Sequence, residues 1–302
     1  DATRVASYNP WVCLSWLVTG RTVGGLSLYP GTNRVSREKA LSMWTHENTW
    51  FSSETGKKGQ IKVGQLADCA LLTADFFTVP EQDVQDGRFP TVKSPNPENA
   101  PALKMAVDLA NKEGADIVIG TDPDCDRMGV GVRDAKGDMV LLTGNQTGSL
   151  MGWYRIKTMF DLGILNDSNK KNAVFLKTYV TSPMQDAIAA KFGIGCVNTL
   201  TGFKWISSKL AKYEAELGLG DAYRDLDETG TREARLAKSS FLIFGGEESY
   251  GYMGSDFSRD KDGNGAVIMF AELAAYAASK GQTIADLLDE VYSDVGYFLE
   301  VN

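Results

Sequence analysis

The sequence predicts an α/β protein with an N-terminal helix-plus-short-strand segment. Two patterns carry the prediction. From about residue 103 onward, apolar stretches of strand length alternate with helical stretches. The first eighty residues have a different texture: four of the six tryptophans (Trp11, Trp16, Trp44, Trp50) lie within the first fifty positions. Residues 1–83 hold eight basic and eight acidic residues, so the whole formal charge of -8 belongs to the remainder. The length of 302 residues suffices for two domains and a sizeable core. Hydrophobic and charged fractions of 43% and 23% exclude a disordered polymer. The acidic balance argues against a general nucleic-acid binder.

Residues 36–51 place Ala40, Leu41, Trp44 and Asn48 at helical spacing behind Ser36, a plausible N-cap, and predict a helix. Alternation at Ile61 and Val63 and the run Ala70, Leu71, Leu72 predict two short strands about Gly64. Five of the nine prolines (Pro80, Pro90, Pro95, Pro97, Pro101) then mark an extended connection. ALKMAVDLANKEG reads as a helix closed by Gly114, ADIVIG as a buried-type strand, and VGVRDAKGDMVLL as a hairpin turning at Lys136 and Gly137. There follow a helix near 145–161, the strand AVFLKTYV, a helix near 183–192, a short strand at 196–199 and a helix near 203–216. Residues 217–238 are polar and read as a loop or short helices. FLIF is a strand entering a Gly-rich loop, and AVIMFAELAAYAASKG is a strong helix closed by Gly281.

Single-residue counts narrow the chemistry. His46 is the only histidine, which excludes a multi-histidine zinc site, and its setting between tryptophans fits a structural role better than a triad. Cys13, Cys69, Cys125 and Cys196 show no CxxC spacing and suggest reduced thiols in a cytoplasmic protein. No apolar run approaches the roughly 20 residues that span a bilayer, and DATRVASYNP lacks the order of a signal peptide.

Chemistry concentrates in four loops. GTDPDCDR follows an apolar strand, where α/β proteins gather ligand sites, and sets Asp122, Asp124 and Asp126 at alternate positions beside Arg127. Three hard oxygen ligands suit Mg²⁺, with a phosphate completing its shell. The plainer reading is an acidic turn capping backbone amides, for which three aspartates are excessive. GGEESYGY puts Glu247 and Ser249 on a glycine-flanked loop, a carboxylate and a hydroxyl suited to sugar hydroxyls. Taken alone, it reads better as an acidic turn before a helix. SRDKDGNG mimics the start of a calcium loop with Asp260, Asp262, Asn264 and Gly265, but its twelfth position is Ala271. A turn presenting Arg259 and Lys261 to an anion is the better reading. LTGFKWI brings Lys204 to a helix N-terminus, a setting for an anion.

GTDPDCDR, LKTYVTSP, TGFKWI, GGEESYGY and RDKDG occur in the order found in the α-D-phosphohexomutases, and this stretch, about 85–302, resembles the phosphoglucomutase/phosphomannomutase branch. FPTVKSPNPEN and LLTGNQTGSL also look like that family's second domain. The resemblance implies mixed-sheet phosphohexomutase-type α/β domains, with a partial second domain at 83–168 carrying the metal loop and a third at 169–302 carrying the sugar loop. It implies Mg²⁺ on Asp122, Asp124 and Asp126, phosphate held by Arg127, sugar hydroxyls gripped by Glu247 and Ser249, and Lys261 as a general acid or base. Thr201, Gly202 and Lys204 would orient the substrate, a glucose or mannose 1- or 6-phosphate. In the family, a phosphoserine on the first domain exchanges phosphate with the sugar, chemistry that depends on stabilising phosphoryl charge. Its loop has the form TASHNP; the nearest string here, VASYNPW, offers Ser7 but has Tyr8 in place of histidine, lacks the following NGxK, and leaves 115 positions between Ser7 and Asp122. A better account is that residues 1–82 resemble the C-terminal end of an amidohydrolase-family protein, through DATRVASYNPW, NRVSREKALSMWTHENTWF and GQIKVGQLADCALLTADFFTVPE. That family's HxH ligands are absent from the chain, so no hydrolase activity is expected. Mutase turnover is expected to be impaired, because the phosphoserine and distal phosphate loops do not appear. A non-catalytic or unstable fusion with an exposed sheet edge is the alternative.

Overall fold

Ser36 caps a helix as its sequence position suggests, its side chain accepting from the Lys39 backbone amide. The computed structural model describes residues 10–22, 26–50, 54–60, 62, 75–80, 92–255 and 258–300, which fall in two units, 1–93 and 94–302. In the first unit, α1 (Pro10–Thr19) and α2 (Arg37–Trp44) pack Leu14, Val18 and Ala40 against Phe76. Arg37 ties the Phe76 turn down by donating to the carbonyls of Phe76 and Val79. The helix expected over 36–51 ends at Trp44 and gives way to a 3₁₀ turn at Glu47–Trp50. There the Thr45 hydroxyl donates to the Leu41 carbonyl, and Glu47 folds back onto Lys39 and Ser42. The strand pair about Gly64 lies outside the described residues, as does Ser7.

The second unit opens with α3 (Ala100–Glu113), started by Pro101 in its first turn and stopped by Gly114 in the left-handed conformation. An antiparallel sheet follows, β1 (Ile117–Thr121), β2 (Met128–Arg133) and β3 (Met139–Leu141), turning at Gly137 as expected. The capping box of Thr143 and Gln146 starts α4 (Gly144–Asp161). Then come β4 (Ala173–Thr178), α5 (Met184–Phe192), β5 (Gly195–Thr199) and α6 (Phe203–Ala215). The chain closes with α7 (Glu228–Lys238), β6 (Phe241–Gly246), β7 (Tyr252–Met253), α8 (Gly263–Ser279) and α9 (Ile284–Val295). The second sheet runs β5-β4-β6-β7, with the first three strands parallel and β7 antiparallel, so the architecture is mixed-sheet α/β.

The central strands β4 and β6 are buried throughout, because helices cover both faces. Strand alternation divides them: Val174, Leu176 and Leu242 face α6 through Phe203, Ile206 and Leu210, whereas Phe175 joins the larger core with Trp153 of α4 and Phe270 of α8. A register shift between β4 and β6 leaves Ile243 and Phe244, adjacent in sequence, both in that larger core. Met128, Val130 and Val132 of β2 enter the same core, so one apolar interior supports both sheets.

Over 217–238, where the sequence allows a loop or short helices, the structure takes the helical reading. The polar stretch 217–238 holds the eleven-residue α7, whose Arg235 is fully buried and donates to the Tyr223 hydroxyl. The buried cation is tolerated because its hydrogen bonds are met. The helix α9, unanticipated from the sequence, buries Ile284, Leu287, Leu288 and Val291 behind a capping box of Thr283 and Asp286. No helix among the described residues is long and apolar enough to cross a membrane. Phe270 is completely buried in the shared core. Phe270→Ala is expected to lower the stability of the second unit by about 3–5 kcal/mol in urea denaturation.

Candidate functional site

The loop between β1 and β2 curls because Asp122 Oδ1 accepts two backbone amides, from Asp126 at 3.1 Å and Arg127 at 3.0 Å. Cys125 takes the left-handed conformation, φ 56°, to close the turn. Ligand oxygens of Asp122, Asp124 and Asp126 thereby lie within 4.8 Å of one another, the one such cluster among the described residues. Burial pushes the Asp122 carboxyl above the usual aspartate range despite the Arg127 amide, and the neighbouring Asp126 and Asp124 push it further. Three crowded hard oxygens, one of them ionised at a cost, fit a small divalent cation.

Lys261 supplies the nearest ammonium. Its Nζ lies 3.1 Å from Asp126 Oδ2 and 2.9 Å from Asp260 Oδ1, above the Phe203 ring. Burial alone would lower its pKa, but the two carboxylates outweigh that and raise it. Arg127 donates through Nη1 to Glu98 Oε1 at 3.2 Å, while its Nε stands 3.8 Å from Asp126 Oδ1 and has no hydrogen-bond partner among the described residues.

The second loop, after β6, is built around Glu247. This buried carboxylate accepts the Gly202 amide at 2.7 Å, which ties the loop to the start of α6. Burial raises the Glu247 pKa, opposed by that amide and by the charges of Lys261 and Arg127. Ser249 lies half-buried on the turn that Tyr250 completes at φ 65°. Glu248 turns the other way and accepts from the Thr178 and Thr181 hydroxyls at 3.1 and 3.2 Å.

The two loops meet through backbone. Arg127 and Gly251 form an antiparallel bridge, and the Met128 amide donates to the Tyr250 carbonyl at 3.0 Å. A β-carbon on Gly251 would stand 2.5 Å from Lys261 Cδ, so glycine is required for the lysine stem to pass. At the opposite side, Gly263 must also lack a side chain, since its β-carbon would meet the Cys125 carbonyl at 2.5 Å. Asp122, Asp124, Asp126, Arg127 and Lys261 are thus joined through Gly251 to Glu247 and Gly202.

The other expected residues lie about α6. Arg259 pairs with Glu214 on α6, and its carbonyl accepts from Ser207. Thr201 and Lys204 are exposed at the start of α6, with Lys204 Nζ 5.4 Å from the Trp205 ring. The calcium-like string resolves into separate tasks: Asp262 caps α8, Asp260 pairs with Lys261, and Asn264 accepts from the Cys125 thiol.

Residues 59–137 match phosphoglucomutase/phosphomannomutase alpha/beta/alpha domain II, and residues 143–220 with 231–295 match domain III of the same family. The chain belongs to this family. Residues 1–94 also match the amidohydrolase family. Mus musculus phosphopentomutase is 35% identical over 236 residues, covering 78% of this chain and 34% of that relative. Human glucose 1,6-bisphosphate synthase is 36% identical over 225 residues, covering 73% of this chain and 32% of the relative. The chain therefore spans about a third of the length of these curated relatives. A solved structure of Paramecium parafusin, a phosphoglucomutase, aligns at 21% identity and a TM-score of 0.44 over 70% of this chain and 31% of that one.

Within this mutase-family site, Gly251, Glu98 and Glu248 are structural participants that spacing alone does not disclose. Glycine inside GGEESYGY is a visible signal for a close approach, whereas the partner that approaches is not. Because the folded-state pKa of Asp122 is raised, its ionisation opposes folding: the stability it lends at low pH is lost as pH rises through the folded value. Asp122→Asn keeps an acceptor for both amides. In chelator-treated protein this variant is expected to melt higher than wild type at neutral pH, with the gap closing as pH falls to the ordinary aspartate range.

Proposed function

We propose that this chain carries the metal- and sugar-binding portion of an α-D-phosphohexomutase, within domains near 83–168 and 169–302, joined to an amidohydrolase-like segment at 1–82. The observation that carries this reading is the backbone bridge of Arg127 to Gly251, which sets the aspartate cluster and Arg127 beside Lys261 and the Glu247 loop. Mg²⁺ is the ion of choice, held by Asp122, Asp124 and Asp126; when bound it offsets negative charge on a phosphoryl group. Arg127 has donors left over for a phosphate, and Glu247 with Ser249 would hold sugar hydroxyls and fix the orientation of the ring. Lys261 Nζ, already hydrogen-bonded, is the group on hand to hold or move a proton. Thr201, Gly202 and Lys204 line the entry to α6, where an anionic substrate group is favoured. Arg259, paired with Glu214, is a further candidate for the anionic group.

A hexose 1- or 6-phosphate is the proposed substrate, glucose or mannose. The phosphopentomutase among the relatives makes ribose phosphate the comparison to run alongside. A cytoplasmic setting accords with the unbridged thiols of Cys125 and Cys196. The 302 residues contain VASYNPW where the family's phosphoserine loop reads TASHNP, so the chain tested by itself should bind without turning over.

Titration calorimetry is expected to show Mg²⁺ binding that Asp124→Ala abolishes, and saturable glucose 1-phosphate binding that depends on Mg²⁺. Glucose 6-phosphate formation should stay at background, with no phosphate on Ser7 by mass spectrometry. Stable phosphate on Ser7, with turnover lost in Asp124→Ala, would establish an active mutase instead. Aggregation without a cooperative melt would favour a non-catalytic fusion.

A further inference from the structure

The PNPEN string at 95–99 belongs to no loop discussed above as a binding element, yet the fold places it with care. Asn96 Oδ1 accepts the Glu98 amide at 3.0 Å, and the Asn99 amide returns to the Asn96 carbonyl, which fixes a tight turn ahead of α3. Pro97 rests against β2 where Gly129 leaves room: a β-carbon there would lie 2.6 Å from the Pro97 carbonyl oxygen. Gly129 is two residues from Arg127. The turn is thereby registered on the strand that begins beside the phosphate-holding arginine, and Glu98 reaches Arg127 Nη1 at 3.2 Å.

We propose that Glu98 is a positioning residue for Arg127, clamping Nη1 so that the remaining guanidinium donors stay aimed at the phosphate of a sugar phosphate. This rests on the reading of Arg127 as the phosphate ligand. Three observations support it together. Glu98 is presented by a turn with its own hydrogen bonds; Gly129 admits that turn against the strand; and Arg127 Nε has no hydrogen-bond partner among the described residues although it is buried. A long cation without a clamp would swing toward Asp126, 3.8 Å from Nε, and present a different edge. The clamp is a hydrogen bond as much as a charge pair, because Glu98 and Arg127 side chains are 32% and 35% exposed and their Coulomb attraction is partly screened.

The sign of the effect separates clamping from competition. Removing a carboxylate next to an anion site strengthens anion binding if Glu98 merely repels or competes with phosphate. Clamping predicts the reverse. With saturating Mg²⁺, Glu98→Ala is expected to weaken glucose 1-phosphate binding at least fivefold in calorimetry, while Glu98→Gln, which keeps an acceptor, stays within twofold of wild type. Should Glu98→Ala fail to fold, Glu98→Asp, one methylene short of Arg127, is expected to show the same loss. In an Arg127→Met background, Glu98→Ala should change nothing, since its effect passes through the guanidinium. Tighter or unchanged binding in Glu98→Ala, or an equal loss in the Arg127→Met background, overturns the proposal. If Arg127→Met itself binds as well as wild type, the phosphate role of Arg127 falls, and the clamp falls with it.

Discussion

The site depends on a short backbone seam. The bridge between Arg127 and Gly251, the Met128 amide on the Tyr250 carbonyl and the Gly263 amide on the Cys125 carbonyl join a loop of the antiparallel sheet to loops of the mixed sheet. Each of these is a main-chain contact at close quarters, so the residues at the seam are constrained by the space a side chain would take. Gly251 and Gly263 leave that space to Lys261 and to the Cys125 carbonyl. At Gly144 a β-carbon would fall 1.8 Å from the Glu248 carbonyl oxygen, which extends the same restriction to the start of α4. Side-chain chemistry is then arranged on a frame that the backbone has already fixed.

Support for the seam comes from below. Strands β2, β4 and β6 contribute to one apolar interior with α4, α8 and α9, so both loops stand on the same packed body. The bulge at Ile243 puts two successive side chains of β6 into that interior just before the strand releases Glu247. Loops anchored at both ends in this way hold ligating groups with little reorganisation, as binding of a small charged substrate demands.

Much of this was legible in the sequence, for local reasons. Gly114 and Gly137 mark a helix stop and a hairpin because both need positive φ, and the carboxylates of Asp122, Asp124 and Asp126 share a loop because they are neighbours in the chain. What could not be read depends on residues far apart. Nothing in the stretch around Arg235 announces that Tyr223 and nearby carbonyls will accept its hydrogen bonds, so the sequence leaves α7 open between a loop and a short helix. Likewise, the pairing of Glu98 with Arg127 and of Lys261 with Asp126 arises from tertiary folding, which carries residues 29 and 135 positions apart in the chain into contact. Arg259 was expected on a turn presented to an anion, and the local string gives no sign that Glu214 of α6 would pair with it.

The balance of charge along the seam has a consequence for ligand binding. Among the described residues, Asp122, Asp124, Asp126, Asp260, Glu98 and Glu247 gather about Arg127 and Lys261, and both cations are already engaged with carboxylates. A phosphate dianion entering alone would meet a repulsive field and two cations that are not free to swing toward it. Under the proposed function, a divalent ion at the three aspartates would offset part of that negative charge and so favour the sugar phosphate settling beside it. On that reading, metal and sugar phosphate would each strengthen the binding of the other.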